Sequence, residues 1–290
     1  MHKPDPRLTP ARPDLAARHL AGKVAAERFV DGQLFEVIEP SAPLRRAPAS
    51  DAALDTEALQ GERVTIYETT AEGWCWGQLE TDGYVGYLPQ NALTIARQAP
   101  THKVAALRTL VFPGPDIKLP PLGALPLGAR LAIAKSDSRF AYPASGGCLP
   151  VGHVAPLERM ESDFVAVAER FAGTPYLWGG KTSFGLDCSG LVQVALQAAG
   201  IAAPRDSDMQ ERALGTLVGG AEALPQLRRG DLVFWKGHVA IARDAASLIH
   251  ANAFHMAVEI EPAQAAVTRI RAAGSEVTGI RRLQGPIRRR

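Results

Sequence analysis

The sequence is poor in the features that mark several classes of protein. It has three cysteines in 290 residues, which argues against a disulfide framework and fits a reducing compartment. No run approaches about 18 consecutive apolar residues, so no membrane-spanning helix is expected. The 32 Lys and Arg residues nearly balance the 30 Asp and Glu residues, so no strong field draws the chain to nucleic acid or to an anionic membrane.

The two ends of the chain carry charge but little else. The N-terminal segment has charges and prolines, and it lacks the apolar core and small-residue cleavage pattern of a secretory signal. We therefore expect the protein to be cytoplasmic. The basic C-terminus, IRRLQGPIRRR, is interpreted as a solvated tail. Cys75 and Cys148 lie in strand-like contexts and are interpreted as packing residues.

Two stretches of short strands follow an N-terminal arm, which we place at residues 1–20. Residues 21–97 and 103–158 each break into short strands at turn dipeptides, which is typical of small all-β barrels or sandwiches. In the first stretch the turns are predicted at Gly73 and Gly83. Both stretches end in a glycine-containing turn, a strand and a small-residue loop, so we interpret them as diverged copies of one module.

Residues 160–290 have a different pattern of predicted elements, with helices first and strands after them, which indicates an α+β domain. SDFVAVAERFAG predicts a helix with Ser162 as its N-cap and Gly173 near its end. SDMQERALGTLV predicts another, with Ser207 and Gln210 at capping-box spacing. Strands are predicted in series in DLVFWK, HVAIARD, SLIHANA, AVEIEP and GIRRL.

The stretch GLDCSGLVQVALQAAG places Cys188 where a glycine-flanked turn passes into an apolar pattern of helical spacing. Gly200 supplies the helix stop. A helix start offers unpaired N–H groups and the positive end of the helix dipole, which lower the pKa of a thiol. Cys188 is therefore a candidate nucleophile. The alternative is a buried cysteine that packs as a small apolar side chain.

Two histidines are candidates for the base that a cysteine nucleophile needs and for the group that orients this base. His238 opens HVAIARD and His250 lies in the following strand, so adjacent strands would set the imidazoles side by side. His238 would then be the general base, and His250 would fix its tautomer.

Other interpretations of these histidines stay open. Each of them could be an ordinary strand residue. A zinc site of Cys188, His238 and His250 is the other alternative, but spacings of 50 and 12 residues match no short metal motif, and no fourth ligand is obvious. His255 is near His250 in sequence but falls in a loop. No metal or other cofactor is expected.

Four segments occur in an order that resembles the NlpC/P60 cysteine peptidases of bacterial cell walls, which are papain-like in their core. They are TPYLWGGKTSFGLDCSGLVQVALQAAGI, PRDSDMQ, GDLVFWKGHVAIA and LIHANA, and the resemblance covers about residues 165–285. The two upstream modules resemble bacterial SH3 domains. The whole arrangement is similar to the γ-D-glutamyl-L-diamino acid endopeptidases of the dipeptidyl-peptidase VI type. It implies a papain-like NlpC/P60 domain preceded by two small all-β SH3-like barrels.

The resemblance implies catalytic roles for four residues. Cys188 corresponds to the nucleophile, His238 to the base and His250 to the polar third member that orients the base. Tyr176, in TPYLWGG, corresponds to a tyrosine that completes the oxyanion hole with the backbone N–H of Cys188.

The resemblance also implies residues that bind substrate. Asp187 and Ser189 correspond to positions that hold the terminal ammonium and the peptide of the substrate, and a carboxylate suits an amine. Ser207 matches a further substrate position, with a helix N-cap as the alternative. Tyr84, in DGYVGY, matches a tyrosine of the amine pocket, with a core aromatic as the alternative. Glu62, in GERV, is a candidate second carboxylate at that pocket.

The activity implied by the resemblance is cleavage of the bond between γ-D-Glu and the diamino acid in peptidoglycan stem peptides that carry a free N-terminal L-Ala, in cell-wall recycling. The expected partner is this peptide, with no nucleic acid and no membrane, and the chain is expected to be a monomer. The SH3-like modules would act as walls of the site. The alternatives are an amidase or acyl transferase on the same core, and a non-catalytic wall-binding SH3 protein. The diamino acid, meso-diaminopimelate or lysine, is left open.

Replacing Cys188 by Ala is expected to abolish peptide hydrolysis. Of the candidate catalytic side chains, only that of Cys188 can form a thioester with the substrate. Iodoacetamide is expected to label Cys188 ahead of Cys75 and Cys148, measured by mass spectrometry of tryptic peptides. Full activity in Cys188→Ala would contradict a cysteine mechanism. A clear loss of activity with EDTA would favour the zinc alternative.

Overall fold

The computed structural model describes residues 4–96 and 98–283. The chain divides into two compact units, an N-terminal unit up to Leu157 and a C-terminal unit from Glu158 onward. Most of the basic tail discussed above lies outside the described residues. The fold mixes helices and strands and is mostly β. None of the described helices is long and apolar enough to cross a membrane.

The N-terminal unit consists of short strands joined by tight turns. They are β1 (Leu15–Ala17), β2 (Arg28–Val30), β3 (Gln33–Val37), β4 (Ser41–Arg45), β5 (Leu54–Leu59), β6 (Arg63–Thr69), β7 (Trp74–Leu79), β8 (Val85–Pro89), β9 (Leu93–Ile95), β10 (His102–Val104), β11 (Arg108–Val111), β12 (Gly123–Pro126), β13 (Arg130–Leu131), β14 (Ile133–Ser136), β15 (Phe140–Pro143), β16 (Leu149–Pro150) and β17 (Val154–Pro156).

The first part of this unit is a seven-stranded antiparallel sheet in the order β5-β4-β8-β7-β6-β3-β9. The predicted turns are confirmed: Gly73 and Gly83 join its strands at φ values of 83° and 77°, a region that glycine adopts without a Cβ clash. Alternating side chains fill one core that includes Cys75, so the packing role predicted for this cysteine is confirmed. The other buried members are Val37, Ala42, Leu44, Ala58, Val64, Ile66, Leu79, Tyr84, Leu88, Ala92 and Leu93.

The second part of the N-terminal unit forms smaller antiparallel sheets, ordered β13-β10-β17, β11-β12 and β14-β15-β16. These strands enclose a core of their own, and Cys148 is buried nearby between Phe112 and Phe140, which confirms its packing role. The buried residues of this second core are Val104, Leu125, Ala129, Leu131, Ala141 and Leu149.

The N-terminal arm is tied to the first sheet through Arg12. Its guanidinium carbon lies 4.4 Å from the ring centroid of Trp76, and Nη1 donates a hydrogen bond of 2.8 Å to Tyr87 Oη. Arg12 also pairs with Glu68 on β6. Because a cation above an indole face is attracted by the ring's quadrupole, the arm is part of the packing of this sheet.

The C-terminal unit combines helices with a six-stranded sheet in the order β20-β25-β21-β22-β23-β24. Its elements are α1 (Phe164–Glu169), β18 (Lys181–Thr182), β19 (Gly185–Leu186), α2 (Cys188–Ala198), α3 (Ser207–Ala213), β20 (Thr216–Gly219), β21 (Leu232–Trp235), β22 (His238–Ala242), β23 (Ser247–Asn252), β24 (Ala257–Pro262), α4 (Ala263–Ala272) and β25 (Val277–Arg282).

The five strands predicted in series are all present, but the prediction omits α4, which lies between β24 and β25. This helix buries Ala263, Ala266 and Val267 against the sheet. Two of these three residues are alanines, so the apolar stripe is too weak to stand out from the sequence. The chain returns after α4 and β25 pairs with β21 and β20, at the other side of the sheet.

Both predicted helix caps are wrong by one residue. The N-cap of α1 is Asp163, not Ser162, and its Oδ1 accepts hydrogen bonds from the backbone N–H groups of Val165 and Ala166 at 2.9 and 3.3 Å. Asp163 also pairs with Arg229 at 2.9 Å, a contact that serine cannot make. A carboxylate therefore replaces the hydroxyl as the cap.

The capping box predicted for the segment SDMQERALGTLV, which contains α3, is also absent. α3 begins at Ser207 itself, so Ser207 is a helical residue and the N-cap position is Asp206. Gln210 does not return to the helix start. Its Nε2 donates hydrogen bonds of 2.9 Å to the carbonyls of Ser189 and Pro204, which fastens α3 to the start of α2.

Replacing Arg12 by Ala is expected to lower the free energy of unfolding of the N-terminal unit by about 2 kcal/mol, because it removes the cation–π contact and charged hydrogen bonds. Arg18→Ala is the matched control, since Arg18 makes an exposed ion pair with Asp31 and is expected to matter by less than about 0.5 kcal/mol. Urea unfolding followed by tryptophan fluorescence measures both. Equal losses in the two variants would contradict the role given to Arg12.

Candidate active site

Cys188 is the first residue of α2, as the sequence predicts, and the helix ends just before Gly200, which has a φ of 76°. The helix packs on β22 and β23, and Leu191 and Ala195 on its inner face are fully buried. The backbone N–H of Val239, on β22, makes a hydrogen bond to the Cys188 sulfur. The nucleophile candidate therefore lies where the helix start meets the strand that begins with His238.

Asp187 is the N-cap of this helix and holds the chain on both sides of Cys188. Its Oδ1 accepts hydrogen bonds from the Gly190 N–H at 2.7 Å and from the Ser189 hydroxyl at 3.2 Å. Its Oδ2 accepts one from the Gly179 N–H at 2.9 Å. The carboxylate thus joins the preceding glycine-rich loop to the first turn of α2.

Arg205 completes this arrangement, and no pattern in the sequence predicts its role. The side chain is 1% exposed, and Nη1 and Nη2 bind the two oxygens of Asp187 at 2.9 and 2.7 Å. Nη1 also donates to the Ser189 hydroxyl at 2.9 Å, and Nη2 to the Gly180 carbonyl at 3.3 Å. Such two-pronged geometry is what a planar guanidinium provides and a lysine does not.

The expectation of a lowered thiol pKa is wrong. Burial raises the pKa of Cys188, and the negative charge of Asp187 raises it further. Hydrogen bonds from the backbone N–H groups of Val239 and Ser189 act in the opposite direction but do not overcome burial. At neutral pH the resting thiol is therefore protonated, and thiolate forms only when a base accepts its proton.

The structure brings His238 and His250 together on adjacent strands. His238 Nε2 lies 2.8 Å from His250 Nδ1, and His250 Nε2 lies 2.7 Å from Glu261 Oε1. His250 is fully buried, and Arg269 forms an ion pair with Glu261. A line of hydrogen-bonded groups therefore runs from His238, the base candidate, to the Glu261 carboxylate, whose role no pattern in the sequence predicts.

The charges along this line favour one direction of donation. Burial alone would raise the pKa of Glu261, but its hydrogen bond with His250 and the positive charge of Arg269 lower it overall, so it is ionised. An ionised carboxylate only accepts, so His250 carries its proton on Nε2 and accepts from His238 through Nδ1. Burial lowers the pKa of His238, which leaves it neutral with Nδ1 as the basic nitrogen.

Tyr176 forms an isolated bridge with Leu186, two residues before Cys188. Burial raises the pKa of the Tyr176 phenol, and a negative charge at Cys188 would raise it further. Its backbone N–H donates to the Met256 carbonyl at 2.9 Å. Ser207 is buried at the first residue of α3. The functional roles predicted for Tyr176 and Ser207 stay predictions.

Tyr84 and Glu62 belong to the N-terminal unit. Tyr84 is 3% exposed within the core of the first sheet, which is the alternative that the sequence left open, and its N–H donates to Asp82 Oδ1 at 3.1 Å. Glu62 Oε2 accepts a hydrogen bond of 2.8 Å from the Leu59 N–H. Their predicted contact with the substrate amine stays a prediction.

His255 does not join the other two histidines. Its backbone N–H and its Nδ1 lie 2.9 and 3.0 Å from Asn252 Oδ1, so the Asn252 side chain caps the turn between β23 and β24. Among residues 4–96 and 98–283, no group of three or more His, Cys, Asp or Glu side chains is arranged to hold a metal ion.

Comparison with known proteins gives two family matches. Residues 44–93 match the bacterial dipeptidyl-peptidase SH3 domain, and residues 173–274 match the NlpC/P60 family. Two relatives are named γ-D-glutamyl-L-lysine dipeptidyl-peptidase. That of Bacillus cereus is 27% identical over 247 residues, which is 72% of this chain and 70% of the relative. That of Bacillus subtilis is 27% identical over 239 residues, which is 73% of this chain and 76% of the relative.

A solved structure has the same fold. It is an NlpC/P60 family protein of Bacillus cereus, 23% identical, with a TM-score of 0.73 over 87% of this chain and 100% of its own. A helix that begins with cysteine and packs on an antiparallel sheet with paired histidines is the site of a cysteine peptidase. The chain carries a region, residues 173–274, that matches the NlpC/P60 family, and ahead of it a region, residues 44–93, that matches the bacterial dipeptidyl-peptidase SH3 domain.

Replacing Arg205 by Met is expected to cost about 3 to 5 kcal/mol in the free energy of unfolding of the C-terminal unit, because it leaves the Asp187 carboxylate buried without its cation. Arg212→Met is the control, since its pair with Asp208 is exposed and contributes less than about 0.5 kcal/mol. Urea denaturation with circular dichroism measures both. Arg205→Met combined with Asp187→Asn is expected to recover part of the loss. A cost below about 1 kcal/mol for Arg205→Met alone would contradict this role.

Proposed function

We propose that the protein hydrolyses peptidoglycan stem peptides with a free N-terminal L-Ala at the bond between γ-D-Glu and the diamino acid. The observation that carries the proposal is Cys188 at the start of a helix that packs on β22 and β23, the strands that carry the hydrogen-bonded His238–His250 pair. The match to a dipeptidyl-peptidase SH3 domain and the relatives named γ-D-glutamyl-L-lysine dipeptidyl-peptidase support this substrate.

The first chemical step forms the bond between the Cys188 sulfur and the γ-carbonyl carbon of D-Glu. His238 accepts the thiol proton at Nδ1, which makes the sulfur nucleophilic at the moment of attack. The resulting imidazolium donates from Nε2 to His250, so its charge is stabilised within a buried line of hydrogen bonds. Because the resting thiol and imidazole are both neutral, separation of charge is confined to this step.

The negative oxygen of the tetrahedral intermediate requires donors that are already in place. The backbone N–H of Cys188, at the start of α2, and the hydroxyl of Tyr176 are the proposed donors. When the intermediate collapses, the C–N bond breaks and the amine of the diamino acid leaves with the proton held by His238. A thioester between Cys188 and L-Ala-D-Glu remains.

The second half of the reaction reverses the roles. Water loses a proton to His238 and attacks the thioester carbonyl, and the C–S bond breaks as Cys188 regains its proton. The products are L-Ala-D-Glu with a free γ-carboxylate and the peptide that begins with the diamino acid. The atoms balance with one water consumed, and no cofactor enters the cycle.

Recognition of the substrate amine is the part of the proposal that sets specificity. Asp187 and Ser189 flank the nucleophile and are proposed to face the amino end of the substrate, together with Ser207, while the roles that the sequence predicts for Tyr84 and Glu62 stay predictions. The distance from a fixed amine site to Cys188 would then measure out one dipeptide.

The finer architecture belongs to the same proposal. We assign residues 103–158 as a second SH3-like barrel, which is supported by their all-β content and their own core. We assign the C-terminal unit as papain-like, which is supported by a nucleophile helix packed on an antiparallel sheet. A cytoplasmic location and a part in cell-wall recycling are proposed from the requirement for processed peptides, and the three free cysteines fit a reducing compartment.

Acetylating the amine of L-Ala-γ-D-Glu-L-Lys or of its diaminopimelate counterpart is expected to lower kcat/KM at least about tenfold. Acetylation removes the positive charge and adds bulk at the proposed amine site, and a charged hydrogen bond of about 1.5 to 3 kcal/mol corresponds to a factor of ten or more. Mass spectrometry of the released dipeptide gives the rates.

The N-methylated peptide is the control, because it keeps the positive charge and adds one carbon. It is expected to be cleaved faster than the acetylated peptide if the charge is recognised. Equal rates on free and acetylated peptides would overturn the amine requirement and favour an amidase with an open site.

A further inference from the structure

We propose that Glu261 is a positioning residue of the reaction, which acts through His250 to hold His238 in the tautomer that can accept the thiol proton. The proposal rests on the catalytic roles proposed for Cys188 and His238. It adds a carboxylate, fixed in turn by Arg269, to the far end of the line of hydrogen bonds.

The sheet register shows that the contact is selective. Glu259 lies opposite His250 in the β23–β24 pairing, and Glu261 lies opposite Leu248. Because alternate residues of a strand share a face, Glu259 and Glu261 both lie on the face that carries His250. His250 Nε2 nevertheless bonds to the diagonal neighbour, Glu261, at 2.7 Å. The diagonal carboxylate, not the directly opposed one, is therefore the partner of the imidazole.

Arg269 fixes the orientation of this carboxylate. It lies in the last turn of α4, and its guanidinium pairs with the Glu261 oxygen that faces His250. The same guanidinium lies 4.4 Å from the ring centroid of Phe254, in the turn between β23 and β24. The acid is thus held between a histidine and an arginine, and only 11% of its side chain is exposed. Its rotamer is set before substrate arrives.

A carboxylate at this position fixes the direction of the hydrogen bonds, which a neutral amide side chain does not. Ionised Glu261 has no proton to give, so the proton between it and His250 belongs to His250 Nε2. His250 Nδ1 then accepts from His238 Nε2–H, and His238 Nδ1 keeps the lone pair that the mechanism requires. A glutamine can either accept or donate at the same place. With a donating amide both imidazoles can reverse, and His238 then carries its proton on Nδ1.

The test compares Glu261→Gln with Glu259→Gln, two changes that remove the same charge from the same face of the same strand. The first readout is the imidazole tautomer, from long-range proton–nitrogen NMR spectra of the full chain labelled with ¹⁵N-histidine. The second is the rate at which iodoacetamide alkylates Cys188, which needs no peptide substrate. The third is kcat/KM on the free tripeptide.

In the unmodified chain, His238 and His250 are expected to be protonated on Nε2 only. Glu261→Gln is expected to add a population protonated on Nδ1, to slow alkylation of Cys188, and to lower kcat/KM by about tenfold to a hundredfold. Glu259→Gln is expected to leave all three readouts within about twofold of the unmodified chain.

Two results would overturn the proposal. One is His250 protonated on Nδ1 in the unmodified chain, a result that does not depend on any variant folding. The other is a folded Glu261→Gln protein with unchanged tautomers and alkylation. If the tripeptide is not a substrate, the NMR and alkylation results still decide the role of Glu261, so failure of the proposed substrate is recognised separately.

Discussion

The buried ion pair between Asp187 and Arg205 is the interaction on which the catalytic region depends. Asp187 starts α2 and ties it to the loop before it, and Arg205 reaches this carboxylate from the segment between α2 and α3. Burying two charges costs desolvation energy, which only close geometry and additional hydrogen bonds offset. Both conditions are met here, and as a result Cys188 is held between two fixed neighbours in the sequence.

In the resting state of this site, the nucleophile and the base are both uncharged. Burial raises the pKa of Cys188 and lowers that of His238, so the same low-polarity surroundings keep both groups uncharged. The hydrogen bonds that run from His238 through His250 to Glu261 determine which nitrogen of His238 carries the proton. They do this without placing a full positive charge beside the Cys188 sulfur. Reactivity of the Cys188 sulfur then depends on transfer of the thiol proton to His238.

Local signals in the sequence predict much of this arrangement. The start of α2 at Cys188 and the strands that carry His238 and His250 follow from periodicity and turn residues. The cap of α1 is missed by one residue because Ser162 and Asp163 are both good caps, and only the distant Arg229 decides between them.

Two residues of the site, Arg205 and Glu261, are not predicted from the sequence for a different reason. Arg205 lies 18 residues from its partner Asp187, and Glu261 lies 11 residues from His250. A polar residue whose partner lies this far away in the sequence produces no periodic pattern of apolar and polar residues. Its role depends on sheet register and on the crossing of α2 and α3, which single-sequence patterns do not determine.

The pairing of β3 has a practical consequence for the first sheet. β3 is hydrogen-bonded to both β6 and β9, yet the family match begins at residue 44, after this strand. A fragment cut at the limits of the match would expose the backbone edge of β6, an alternating apolar strand of the kind that recruits other chains. Such a fragment is an aggregation hazard. One that begins before Arg12 keeps that edge paired and the Trp76 ring covered.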